Sequence, residues 1–218
     1  MDITWLGHSC FKLSDKGVVI VTDPYGKEVG YTRPPIRADV ITISHNHSGH
    51  NNQVGFRGEH RVFDAPGEYE VKGVFITGIG AYHDARSGSA RGRNNIFLFD
   101  FDGLTVCHLG DLGHVPTQSQ IESLSDVDVL LIPVGGLHSI DPSKATEVIS
   151  LIEPRIVIPM HYKTTVGNAK LGTLDKFLKE MGLASIPSQP ELKITKSSLP
   201  EETEVVLLDS THKGSTEP

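Results

Sequence analysis

A run of β-branched residues, Asp39-Val-Ile-Thr-Ile-Ser44, opens directly into His45-Asn46-His47-Ser48-Gly49-His50. A short apolar run of this kind reads as a buried strand. While the backbone stays extended, residues two apart point the same way, so His45 and His47 can present two imidazoles to one ion. His50 is expected to reach the same centre from the opening turn of a helix. The chain has 11 histidines in 218 residues, so a scattered histidine carries little information, but three within six positions at a strand exit point to a metal. Imidazole suits zinc, iron, nickel and copper, whereas calcium or magnesium would ask for oxygens.

Other strand-like runs end in the same manner. His83 follows Gly73-Val-Phe-Ile76 and the turn-prone Thr77-Gly-Ile-Gly-Ala-Tyr82; Asp111 lies in His108-Leu-Gly-Asp-Leu-Gly-His114 after Leu104-Thr-Val-Cys107; His161 closes Arg155-Ile-Val-Ile-Pro-Met-His161. Taken singly, each would be a hydrogen-bonded loop residue. Together, four strand ends each delivering a ligand-type residue describe a site assembled along one edge of a sheet scaffold.

In this order of motifs the chain resembles the metallo-β-lactamase superfamily, whose signature runs H-x-H-x-D-H, a lone His, a Gly-Asp and a late His at a strand end. Leu6-Gly-His-Ser-Cys-Phe11, Ala65-Pro-Gly-Glu-Tyr-Glu70, Tyr82-His-Asp84 with Arg91-Gly-Arg-Asn-Asn95, and His108-Leu-Gly-Asp111 look like the branch of ascorbate-6-phosphate lactonase-like proteins. The resemblance runs from about residue 1 to 208. It implies that His45, His47 and His83 hold one metal, that Asp111 bridges, and that His50 and His161 hold a second together with the motif aspartate. That position is Gly49 here, which offers no side-chain ligand. The second metal is therefore expected to be weakened, giving one tight ion and one weak or absent. A natural variant, a pseudo-enzyme and a deliberate inactivating replacement all account for Gly49; Asp84, or a water held by Asn46 or Asn51, would be the compensating group in the first case.

The implied chemistry is metal-assisted hydrolysis with Zn2+, one ion or two, Mn2+ or Fe2+ being alternatives. Asp111 is the expected catalytic group. His114, three residues on, is a candidate catalytic residue as a proton carrier, a supporting residue, or a hydrogen-bonded structural histidine. His8, in a short strand-to-strand turn, reads as structural or as support for a ligand. The basic run Arg86-Ser-Gly-Ser-Ala-Arg-Gly-Arg93 reads from composition as a solvated loop, but the resemblance includes its Arg-Gly-x-Asn end. Arg91, Arg93 and Asn94, with His138 beyond a buried strand, become candidates for binding an anionic substrate. A lactone of a sugar acid, another small ester or a phosphoester would suit such a site. A non-catalytic metal- or ligand-binding protein of the same fold is the alternative. Glu68 and Glu70 lack a ligand pattern around them and are not assigned catalysis.

Net charge is −7 and the pI about 5.8, which does not support general nucleic-acid affinity. Cys10 and Cys107 sit in apolar strand contexts without disulfide spacing, and no apolar run reaches membrane length; both features suit a reducing, cytoplasmic setting. Self-association into a homo-oligomer is compatible with the resemblance. One domain over residues 1–218 is expected, of mixed α/β (α+β) class: an αββα sandwich with the metal site at one edge of the sheets and a frayed tail from about 209. Helices are predicted over 117–125, over 141–152 behind a capped Asp141-Pro start, and over 171–181, with a last strand over 204–208.

Overall fold

The computed structural model describes residues 1–32, 34–124, 126–167 and 170–210. Two sheets face each other. Six strands form the first, in the order Leu192–Lys193, Asp2–Gly7, Cys10–Asp15, Val18–Thr22, Val40–Thr42, Arg61–Phe63. Seven form the second, in the order Glu204–Val205, Ile156–Met160, Val129–Pro133, Leu104–His108, Arg93–Phe101, Val74–Tyr82, Gly67–Val71.

Because side chains alternate faces along a strand, each sheet feeds two layers of core. Ile3, Phe11, Leu13, Ile20 and Val40 meet Phe97, Phe99, Val106, Val129, Leu131 and Ile158 between the sheets. The intervening Cys107, Leu130, Ile132 and Val157 point outward, onto Ala145, Val148 and Ile149 of helix α2 (Pro142–Ile152) and Phe177 and Leu178 of α3 (Leu174–Glu180). Val129–Pro133 and Ile156–Met160 are buried throughout because both faces are covered. Gly67–Val71, at the sheet's far edge, alternates with exposed Glu68 and Glu70.

The helical layer follows local rules. Asp141 accepts a hydrogen bond from the Lys144 N–H, with Pro142 at the first helical position, where its missing N–H costs nothing. A short α1 (Gln118–Ser123) starts from a Thr117–Gln120 capping box, the reciprocal arrangement that satisfies two free N–H groups. α3 is shorter than the predicted 171–181. On the other outer face, Tyr25, Tyr31, Ala38 and Ile41 pack with Val29 of the 3-10 turn Lys27–Val29 and with Ile36, Phe56 and Val166; among the described residues no α-helix contributes to this layer. The predicted strand 204–208 is two short pieces: Glu204–Val205 joins the seven-stranded sheet, while Leu207–Leu208 pairs with Ser188–Gln189. The end of the predicted 117–125 helix, Ser125, and most of the predicted frayed tail lie outside the described residues. No described helix is long and apolar enough to cross a membrane.

Strand direction positions the site. Val18–Thr22, Val40–Thr42 and Arg61–Phe63 are parallel, and Asp2–Gly7 regains their direction through two antiparallel steps. In the other sheet Leu104–His108, Val129–Pro133 and Ile156–Met160 are parallel, and Val74–Tyr82 regains their direction in the same way. His8, Asp23, the His45–His50 segment, His83, Asp111 and His161 therefore all leave carboxyl ends of strands, and the close approaches among them bring those ends together at one edge.

Candidate metal centre

Four imidazoles surround one carboxylate. Asp111 Oδ2 lies 3.3 Å from His50 Nε2, 3.4 Å from His161 Nε2, 3.7 Å from His83 Nε2 and 3.8 Å from His45 Nε2. All five residues are buried, whereas His47, packed at 4.6 Å and 5.1 Å ring to ring against His45 and His83, is exposed. Two sets of nitrogens come close enough to hold an ion each: His45, His47 and His83, and His8, His50 and His161, with the atoms of each set within 4.8 Å of one another. A third cluster, Asp23, His45 and His50, shares members with both, but its carboxylate is already engaged by hydrogen bonds.

Asp23 accepts from the Ser44 N–H (2.7 Å), from Ser44 Oγ (2.5 Å) and from His50 Nδ1 (3.0 Å). Since the Ser44 hydroxyl donates to Asp23, it accepts from His45 Nδ1 at 2.9 Å. This network assigns Nδ1–H to both rings and turns their Nε2 atoms towards Asp111, the carboxylate-to-imidazole arrangement that orients metal ligands. His45 Nε2 and Asp111 Oδ1 are buried without a hydrogen-bond partner. A nitrogen lone pair facing a carboxylate across a dry space is costly unless a cation lies between them. The donor set fits such a cation: imidazoles with one shared carboxylate match zinc-like transition metals.

The electrostatics express the same demand. Burial pulls His45 down to about 3 and His83 down to about 4, so both stay neutral, as ligands must. Burial pushes His50 the same way, but the Asp111 and Asp23 carboxylates override it and raise the ring to about 10. Burial would raise Asp111, yet the fields of His161 and His50 hold it well below the usual carboxylate range.

Backbone geometry at the centre is specialised. Asp111 is held by Asn94, whose Oδ1 accepts from the Asp111 N–H and whose Nδ2 donates to the Leu109 carbonyl, both at 2.9 Å. Gly110 between them has φ +59°, and a Cβ there would come within 2.4 Å of Ser44 Cβ, so only glycine fits. His8, Asp23 and His161 have φ of 55°, 39° and 52°, a left-handed conformation costing non-glycine residues of order 1–3 kcal/mol each and concentrated at functional sites.

Several expectations change against this geometry. His50 does not open a helix; its N–H closes a turn onto the His47 carbonyl at 2.9 Å, and the following Asn51-Asn52-Gln53-Val54-Gly55 is poor helix material. His114 accepts from the Tyr82 N–H at Nε2 (3.2 Å) and donates from Nδ1 to the Val115 carbonyl (2.8 Å), so both ring nitrogens are committed to local backbone, the bonding of a structural histidine. Asn94 supports Asp111 and has no amide group free for substrate. Asp84 caps its own loop, accepting from the N–H groups of Arg86, Gly88, Ala90 and Arg91, and so does not replace a carboxylate at 49. Asn51 donates to Asn46. Arg91 Nη2 lies 3.1 Å from His138 Nε2, both on exposed residues. A cleft of about 380 Å³ is lined by His45, His47, Asp64, Pro66, Arg91 and Arg93 among others.

Sequence reasoning missed Asp23 entirely. Its signal was the one that marks His161: a polar residue directly after a buried strand, here hidden in Thr22-Asp23-Pro24, which reads as a turn. His8 was weighed as support, and the structure brings its ring to 4.4 Å from that of His161 and 4.8 Å from that of His50.

Known proteins are similar to this chain in sequence and fold. Residues 2–161 match the Beta-lactamase superfamily domain. A UPF0173 metal-dependent hydrolase of Nitratidesulfovibrio vulgaris is 31% identical, with 74% of this chain and 80% of the relative covered. A solved structure from Thermotoga maritima, assigned to the Zn-dependent hydrolases of the metallo-β-lactamase superfamily, is 41% identical with a TM-score of 0.80, covering 95% of this chain and 97% of its own. A metallo hydrolase of Ignicoccus hospitalis shares the fold at 22% identity, with a TM-score of 0.67 and 89% of this chain and 99% of its own covered. The matched domain and the identity over most of the chain place it in a family: it belongs to the UPF0173 metal-dependent hydrolases of the metallo-β-lactamase superfamily.

Proposed function

We propose that this hydrolase acts on a small anionic ester, a sugar-acid lactone of the ascorbate-6-phosphate lactonase type or a phosphoester, in a reducing compartment such as the cytoplasm. The observation that carries the reading is the cleft: its lining includes two imidazoles of the centre together with Arg91 and Arg93, so cationic side chains and candidate metal ligands border one space. Guanidinium groups favour phosphate and carboxylate through paired N–H donors, and His138 beside Arg91 adds a further polar contact.

His45, His47 and His83 would hold the first zinc-like ion and Asp111 would be shared with a second at His50 and His161. Gly49 supplies no carboxylate there, so the second position carries less negative charge and is the weaker of the two. A bound divalent ion supplies Lewis acidity and lowers the pKa of water from 15.7 to about 7. Asp111 Oδ1, buried and unpartnered, would accept the hydrogen bond of an attacking water, while Asn94 and Asp23 keep Asp111 and His50 in position.

The test is turnover of a panel of aliphatic lactones, phosphomonoesters and phosphodiesters by zinc- and manganese-loaded protein. Hydrolysis should track metal loading and vanish on chelation. Arg91→Ala should raise KM for the anionic members by roughly 10–100-fold, the worth of one or two charge-assisted hydrogen bonds, with kcat little changed. Tight ligand binding with no turnover under any metal would instead favour the non-catalytic reading of Gly49.

A further inference from the structure

We infer that His8 supplies the donor that residue 49 lacks, so that His8, His50 and His161, with Asp111 shared, form a second metal position built on three imidazoles. The inference rests on the metal-dependent reading above and assigns a ligand outside the motif.

Three independent observations carry it. The nitrogens of His8, His50 and His161 lie within 4.8 Å of one another, the same closeness as in the His45, His47 and His83 set. His8 is held there by a left-handed backbone at φ 55° and by its carbonyl, which accepts from Trp5 Nε1 at 3.0 Å and from the His161 N–H at 3.1 Å; a surface turn has no need of that strain. Finally, a Cβ at position 49 would lie 3.2 Å from His8 Nε2, its nearest neighbour, followed by Val29 Cγ2 at 3.5 Å and His8 Cδ2 at 3.7 Å. The side chain of any residue at 49 would thus grow towards the volume that the His8 ring tip fills. Gly49 and His8 are two halves of one exchange: the carboxylate is absent where the imidazole stands.

The exchange changes what the position prefers. Replacing an anionic oxygen with a neutral nitrogen favours zinc, cobalt and nickel and disfavours oxygen-seeking manganese and magnesium. It also explains why neither Asp84 nor Asn46 is recruited: the donor count is already met.

The test is titration of the metal-free full chain with Co2+, read by its visible spectrum, and with Zn2+, read by calorimetry. Two equivalents are expected in the chain as it stands. His8→Gly, which keeps the left-handed turn while removing the ring, should retain the first equivalent and weaken the second by more than the roughly 10–100-fold that loss of an outer partner costs. Adding Gly49→Asp to His8→Gly should restore the second equivalent and shift its preference towards Mn2+. In the unaltered chain, ring-nitrogen chemical shifts should show His8 Nε2 moving on addition of the second Zn2+, a readout independent of how well the variants fold. A second equivalent unchanged in His8→Gly, an unmoved His8 ring, or a single equivalent in the unaltered chain would each overturn the assignment while leaving the first site standing. Failure to bind any ion would bring down the metal-dependent reading itself.

Discussion

At the amino ends of the parallel strands, Asp39 and Asp128 occupy matching places in the two sheets. Asp39 accepts from the Val19 N–H while its own N–H donates to the Val19 carbonyl; Asp128 does the same with Thr105. Each then passes its carbonyl to the next strand, at Arg61 and Ile156. Each carboxylate also meets a lysine, Lys72 at 2.6 Å and Lys196 at 2.7 Å. At the carboxyl ends of the same strands stands Asp111, equally buried, with one oxygen unpartnered and the other facing imidazole nitrogens. Burial alone does not distinguish structure from function here; what the carboxylate faces does. Two carboxylates are neutralised by lysines of the protein itself, and the third faces a ring of imidazoles.

The largest effect expected from this contrast is at Asp111. Asp111→Asn removes the shared anionic ligand and the acceptor for water, and loss of a central catalytic group costs on the order of 10³-fold or more in rate. The same variant should lose metal-dependent stabilisation. An ion present at a hundred times its Kd adds about 2.7 kcal/mol to the native state, which for a chain of this size raises Tm by about 5–10 °C. Zn2+ should raise the melting temperature of the unaltered protein by that amount and leave Asp111→Asn nearly unmoved. An equal rise in both would mean that the ion binds elsewhere.

Asp128→Asn should behave in the opposite way. It exchanges an acceptor that takes two contacts from Lys196 Nζ, at 2.8 and 2.7 Å, for an amide that can face an ammonium with only one oxygen. A cost of about 1–2 kcal/mol follows, the worth of hydrogen bonds to a charged group reduced by screening because the Lys196 side chain is 58% exposed, with metal stoichiometry unchanged. Denaturant melts beside metal analysis would decide it; a variant that folds normally but loses an ion would break the division between the two ends.

Much of this division was legible before the structure, and the gaps have physical reasons. His45, His47, His83, Asp111 and His161 could be read because each follows an apolar run, and strand exits are where side chains leave the packed layers. The capped helix from Asp141 was legible because capping is local. Asp23 was not, nor was the closeness of His8 to His50 and His161, because a sequence does not state which strands run in the same direction: Thr22-Asp23-Pro24 looks like a turn until Val18–Thr22 is seen to lie parallel to Val40–Thr42. His50 misled for a related reason. Its reach to the centre comes from a turn fixed by Asp23, a partner 27 residues away, and not from a helix that local propensity would announce. The Asp-Val-Ile-Thr-Ile43 and Asp-Val-Leu-Leu-Ile132 segments are similar enough to compare by eye, but only the pairing shows that their aspartates do the same work.

The smallest expected effect is at Asp39, and it sharpens the comparison through pH. Burial would raise its carboxyl, but the Lys72 ammonium, the Val19 N–H and Arg37 together hold it below the ordinary value. A group with a depressed native pKa contributes stability above its unfolded value of about 3.9 and loses it as pH falls through the native value, because the unfolded chain then binds more protons. Lys72 and Arg37 are themselves largely in water, 52% and 72% exposed, so screening keeps the contribution near about 1 kcal/mol. Asp39→Asn should therefore be slightly less stable than the unaltered protein near neutrality, with the gap closing in acid and shrinking in high salt. Urea melts at the two pH values and two salt concentrations measure it. A gap that persists in acid would show that Asp39 acts through its N–H acceptor geometry and not through its charge, leaving Asp128 and Asp39 alike in fold but different in electrostatics.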